Sequence, residues 1–248
     1  GDNTYTTLVV PDADDLAGGA DGYYRLDGAV HSGGYMAQVP AAYRAAFGAE
    51  YLTGWSSVYS IVSRYSVGPS LWTFDPTELV RSLPEPGASI PATAFMNFAF
   101  GDSQLGERAT EYAPQGMPGP FPPSSPLWNI LSRGRFGFIV PGTRTFAVLG
   151  SSAGLTSGIG YKAVQDDGSV CPGPCPYVEA DRYNYYWFFD VVEILAAANV
   201  YDPRPYDFGV WSVPYDSDGE YPVIGATFDP AAKRLYVALG GAAQLGDY

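Results

Sequence analysis

Apolar residues in this chain fall in short runs, each cut by Gly, Pro, Asp or Ser. Alternating, β-branched or aromatic runs bounded by turn residues read as strands. Residues 57–63, 71–74, 136–140, 145–149, 183–189, 209–213, 225–228 and 234–239 fit that description. Helical patterning is sparse. Residues 40–47 carry Pro at the start and Gly48 at the end, as a two-turn helix requires. Residues 77–81 follow Asp75-Pro76 and predict one or two turns. Residues 190–199 are the best helix, with Asp190 as N-cap and Glu193 at the capping-box position. No long amphipathic helix is present, which argues against a bundle or a regular βαβ alternation.

Two Pro-rich connectors, 83–91 and 115–126, separate these runs. The second is too long for a hairpin and too hydrophobic for a free linker, so an ordered surface loop is expected. An internal echo also recurs. Aromatic strands end in Asp75, Asp190 and Asp229, and a turn or helix starts after each. The Asp side chain can cap the free N–H groups of that turn or helix.

Composition narrows the function. Across 248 residues, Gly (30) and Pro (22) make up about a fifth of the chain, above the usual share. Tyr (20), Phe (13) and Trp (5) can fill a core. Asp and Glu outnumber Lys and Arg 26 to 13, giving a formal charge of −13. No basic stripe exists to meet phosphates, so nucleic acid is excluded as a partner. No apolar stretch is long enough for a membrane span. The start, Gly1 to Tyr5, lacks Met and any signal-like segment, and reads as processed or trimmed. One domain over residues 1–248 is expected, possible for all-β chains of this length.

The only cysteines, Cys171 and Cys175, flank Pro-Gly-Pro. One disulfide in a protein outside the cytosol fits best, with two free thiols as the alternative. Residues 150–154 match G-x-S-x-G, but the only histidine, His31, lies upstream and no helix signal comes after the match. A Gly-Ser turn is expected there. His31 could act as a general base beside Tyr35 and Arg64, as a lyase of acidic polysaccharides would need. A loop histidine with an ordinary hydrogen bond is the alternative. No phosphate-cradling motif occurs, so neither nucleotide nor haem is implied.

Calcium is the one cofactor the sequence could hold, with solvated acidic turns as the alternative. Asp216, Asp218 and Glu220 surround a Gly, and Asp12 and Asp14 form a second acidic cluster. Hard oxygen ligands on a tightly turning backbone suit Ca²⁺, although no EF-hand pattern is complete. Tyr185 and Trp187, in the aromatic run 183–189, could stack on sugars. Alternate residues of a strand face opposite ways, so half of that run must be core, and core is the default for all of it.

The segment 228–237, with Phe228, Asp229, Pro230, Leu235, Tyr236 and Val237, resembles a blade hairpin of many secreted β-propellers. Residues 34–40, 63–69 and 204–206 are similar to an uncharacterised family of secreted bacterial proteins of propeller-like build. The resemblance implies an all-β, propeller-like fold, partial in this chain, and a secreted or cell-surface location. It implies no activity. Open sheet edges would then need a partner chain or self-assembly to cover them. The function expected is a non-enzymatic binding or structural domain in an extracellular assembly. The alternative is a carbohydrate-active lyase or glycoside hydrolase.

Overall fold

In the computed structural model, residues 7–11, 17, 20–27, 34–54, 68–76, 88–98, 105–214 and 221–241 are described. Strands dominate, and the two helices among these residues are short. β1 (Thr7–Pro11) pairs antiparallel with β2 (Ala20–Leu26). β3 (Tyr35–Gln38), β4 (Tyr51–Gly54), β5 (Leu71–Phe74) and β7 (Ala92–Met96) form an antiparallel sheet in chain order. Between β5 and β7, β6 (Ser89–Ile90) leaves to pair in parallel with β2. Helix α1 (Ala41–Phe47) connects β3 to β4.

A second antiparallel sheet comes next. It runs β8 (Arg133–Ile139), β9 (Thr145–Ala153), β12 (Arg182–Asp190) and β13 (Asp207–Val210), again in chain order. A small hairpin, β10 (Ile159–Tyr161) with β11 (Pro174–Pro176), is inserted between β9 and β12. Helix α2 (Val191–Ala196) succeeds β12, and β14 (Val223–Asp229) pairs with β15 (Arg234–Leu239). None of these sheets closes on itself among the described residues.

The second sheet is the centre of the molecule because both its faces are apolar. On β9, Phe146 and Val148 join one core, while Ala147 and Leu149 join another. On β12, Tyr185, Trp187 and Phe189 go one way, and Tyr186 and Phe188 the other. The period-2 geometry of a strand sends these sets to opposite faces. The first core also takes Val39, Leu52, Leu71, Met96 and Phe98 from the β3–β7 sheet and its surroundings. The second takes Ala226, Phe228 and Leu235 from the β14–β15 hairpin. Each fully buried large apolar side chain contributes about 1.5–3 kcal/mol relative to exposure. β8 is packed against by both β3 and β14, so it is the common neighbour of three sheets.

Local chemistry matches the element ends. Gly48 adopts φ 66° and its N–H bonds to Arg44 O, closing α1. Pro40 sits at the N-cap, one position before the first helical residue. Asp190 accepts a bond from Val192 N–H and caps α2. That helix stops at Ala196, short of the expected Asn199, where Ala197 turns extended. Asp229 accepts from the N–H groups of Ala231 and Ala232, so the capping turn expected there is present. The connector 115–126 is ordered by bonds such as Phe121 N–H to Ser157 O and Ser124 N–H to Gly154 O. The expected strand at 57–63 and turn at 77–81 lie outside the described residues.

Two expectations are corrected. β8 starts at Arg133 rather than Phe136, because pairing with β9 extends past the apolar run. The Gly-Ser stretch 150–153 is not a turn but the end of β9, paired throughout with β12 and at Gly150 and Ser151 also with β8. Its glycine is demanded by packing. A Cβ on Gly150 would fall 1.7 Å from Arg133 O, where no side chain fits.

Gly137 on β8 shows how tightly the first two sheets meet. A Cβ there would sit 2.6 Å from the Tyr35 ring. Gly137→Ala is expected to cost about 1–3 kcal/mol through overpacking. Gly173→Ala, at a position with no atom near the added methyl, should stay within about 0.5 kcal/mol. Urea titrations of both variants check this pair.

Candidate functional site

The polar end of β8, β9 and β12 forms a cleft of about 630 Å³. Its floor is strand backbone. Arg133 on β8 lies opposite Ser151 on β9, and Ser151 lies opposite Asn184 on β12. The register shifts between Gly134 and Phe136, leaving Arg135 as a bulged residue without a partner in the ladder. A bulge bends the strand and re-aims its side chain. Arg133, Arg135 and Arg182 all line the cleft, with Ser151, Tyr183 and Glu179.

A buried polar network holds this floor. Asn129 donates through Nδ2 to Ser124 Oγ at 3.0 Å and to Ala153 O at 3.0 Å. Its Oδ1 accepts from Leu131 N–H at 2.8 Å. Ser132 and Ser152 hydroxyls are 2.9 Å apart. Such networks rigidify their surroundings when every member is satisfied. Ser152, the serine of the G-x-S-x-G match, is therefore a buried structural hydroxyl, 2% exposed.

Asp181 secures the other wall. Its carboxylate accepts from Thr156 N–H at 3.1 Å, Ser157 N–H at 2.7 Å and Ser157 Oγ at 2.7 Å. These bonds tie the chain leaving β9 to the start of β12, next to Arg182 and Tyr183. The disulfide Cys171–Cys175 forms, as expected, and brackets the loop that brings Pro174 to the cleft edge.

The electrostatics are unusual for so acidic a chain. Burial, then the positive charges of Arg135 and Arg182, press the Arg133 guanidinium below its ordinary pKa. Burial does the same to Arg135. Guanidinium still stays protonated in proteins, so these charges persist. Arg182 has Glu179 beside it, at 3.4 Å. Arg44, Arg108 and Arg144 likewise pair with carboxylates, whereas Arg133 and Arg135 have none within ion-pair distance among the described residues. Tyr183 is raised by burial and by the nearby negative charge of Asp181, so it keeps its proton at neutral pH.

The residues singled out from sequence are distributed differently. Tyr35 is structural. Its hydroxyl donates to Ser70 O at 2.8 Å, and burial holds its pKa above the usual tyrosine value. Tyr185 and Trp187 are core rather than surface, at 3% and 1% exposure. Their polar atoms donate to Pro126 O and Leu127 O, so neither offers a ring face to a sugar. His31, Arg64, Asp12, Asp14, Asp216, Asp218 and Glu220 lie outside the described residues. No group of three or more His, Cys, Asp or Glu suited to a metal occurs among the described residues. The arginine cluster is the feature sequence reasoning missed. Arg133-Gly134-Arg135 just before an aromatic strand was its only local signal, and Arg182 joins through pairing across β9.

No protein-family model matches the chain, and neither a curated protein nor a solved structure shows significant similarity to it.

Asp181 yields a prediction with a definite sign. Burial alone would raise its carboxyl, but the donors from Ser157 and Thr156 outweigh it and hold the folded pKa below the ordinary 3.8. A depressed folded value means stability present above the unfolded pKa and lost as pH falls through the folded one. Asp181→Asn should therefore cost about 1–3 kcal/mol at neutral pH and progressively less below about pH 4. Thermal melts of both proteins across that acid range provide the check.

Proposed function

We propose that this chain is a non-enzymatic binding domain of propeller-like build, acting outside the cytosol, with its ligand seat in the β8–β9–β12 cleft. The observation that carries the reading is the cleft itself. Polar side chains are held on paired strands over a satisfied hydrogen-bond network, which is a preorganised site rather than a mobile loop. Two antiparallel sheets in chain order, with the first strands β3 and β14 of the flanking sheets both packed against β8, support the propeller-like description. The disulfide supports an oxidising compartment. A protein partner or a second copy suits the edges of the two-stranded β14–β15 sheet that are unpaired among the described residues. Calcium is the cation that the Asp216 and Asp12 clusters would take, by their oxygen chemistry.

A carbohydrate-active lyase is the second reading, favoured by arginines beside Tyr183. The raised pKa of Tyr183 counts against it, because a lyase base must give up its proton near the working pH. Incubation with a polysaccharide panel separates the two. The expected result is that no reducing ends or unsaturated products are released. Ser151→Tyr, which fills the cleft, should abolish ligand binding there while leaving the thermal melt intact. Product release by the unaltered chain would install the lyase reading instead.

A further inference from the structure

Resting on the cleft as the ligand seat, we infer that its ligand is a compact anion carrying at least two negative charges. Three guanidinium groups line one cleft, and Glu179 is the one carboxylate among the described residues that line it. Like charges gathered on strands repel one another, and Arg133, already disfavoured as a cation by burial, has Arg135 and Arg182 as like-charged neighbours. A bound anion relieves that repulsion. Guanidinium forks match carboxylate, sulfate and phosphate oxygens with paired hydrogen bonds, and the Ser151 hydroxyl, directly across the ladder from Arg133, adds a donor beside them.

Charge also limits the size of the ligand. The chain as a whole carries −13, so the positive field is local. An anion much longer than a Debye length, about 8 Å at physiological salt, would leave the cleft and meet a repelling surface. A volume of about 630 Å³ lies within the usual range for small-molecule sites. These facts favour a small multiply charged anion, or one charged end of a larger molecule, over an extended polyanion.

The test is an NMR titration of the whole chain at low ionic strength. Side-chain Nε–H signals of Arg133, Arg135 and Arg182 and the amides of Ser151 and Tyr183 are monitored. Probes are inorganic phosphate, the tricarboxylate tricarballylate, and neutral cellohexaose. Saturable shifts with both anions and none with cellohexaose are expected. Arg133→Gln and Arg135→Gln should each weaken anion binding about tenfold. Arg133→Lys should fall between, since it keeps charge without the fork. Arg234→Gln, on β15 away from the cleft, should leave binding unchanged, and thermal melts confirm that each variant folds. Shifts with cellohexaose alone would overturn the anion inference and leave the cleft as a ligand seat. Silence from all three probes would overturn both. Anion shifts that appear only after D216N, D218N and E220Q are combined would assign the arginines to the chain's own carboxylates, and would also overturn the inference.

Discussion

Burial of the β8–β9–β12–β13 sheet on both faces is the constraint on which the rest of the structure depends. A sheet with one polar face can sit at the surface of a domain. This one cannot, because Ala147 and Leu149 are as apolar as Phe146 and Val148 beside them. Two further layers are required, and the chain supplies them before and after. The β3–β7 sheet arrives first and takes the face of Trp187 and Phe189. The β14–β15 hairpin comes last and stacks Phe228 on Phe138, 5.4 Å between ring centroids. The close approaches at Gly137 and Gly150 are consequences of that three-layer packing, because a side chain at either position would push layers or strands apart.

The same sheet changes character along its length. Toward Ile139 and Asp190 it is apolar on both sides. Toward Arg133 and Arg182 the apolar contacts give way to polar ones, and the strands continue with Ser151, Asn184 and arginine. One face there is closed by the buried Asn129, Ser132 and Ser152 network, which holds the polar floor in register. Asn184 shows the link between the two halves. It bonds to Tyr221 O and accepts from Val223 N–H, fastening the start of β14 to the cleft floor. The site is therefore anchored by the element that also covers the second core.

Much of the strand inventory was legible in the sequence, because aromatic and β-branched runs with turn residues at their ends mark strands directly. The run 234–239 became β15 and 183–189 lies within β12. The extra length of β8 and β9 was not legible. Arg133, Gly134, Gly150 and Ser151 have poor strand propensity singly, and only pairing to a neighbour makes them strand. The short strands β3, β4 and β7 were hidden for the same reason. The aromatic run was expected by default to be core, with a sugar platform as the alternative, and Tyr185, Trp187 and Phe189 are core while Tyr186 and Phe188 on the other face are half-buried against the second core. The arginine cluster depends on residues nearly fifty positions apart, which no local pattern brings together.

The hairpin inserted between β9 and β12 leaves the sheet at Ala153 and returns at Arg182, which are partners in the ladder. Its two ends are thus fixed side by side, whatever lies between them. Arg133 and Arg135 belong to the sheet, while Pro174, Glu179 and Ala180 belong to the insertion. The strand-borne arginines and the residues that set the outline of the cleft are therefore carried by different pieces of chain. The tip of the insertion around Cys171–Cys175 can change length without moving Ala153 and Arg182 apart, so the outline of the cleft can vary separately from the arginines of its floor.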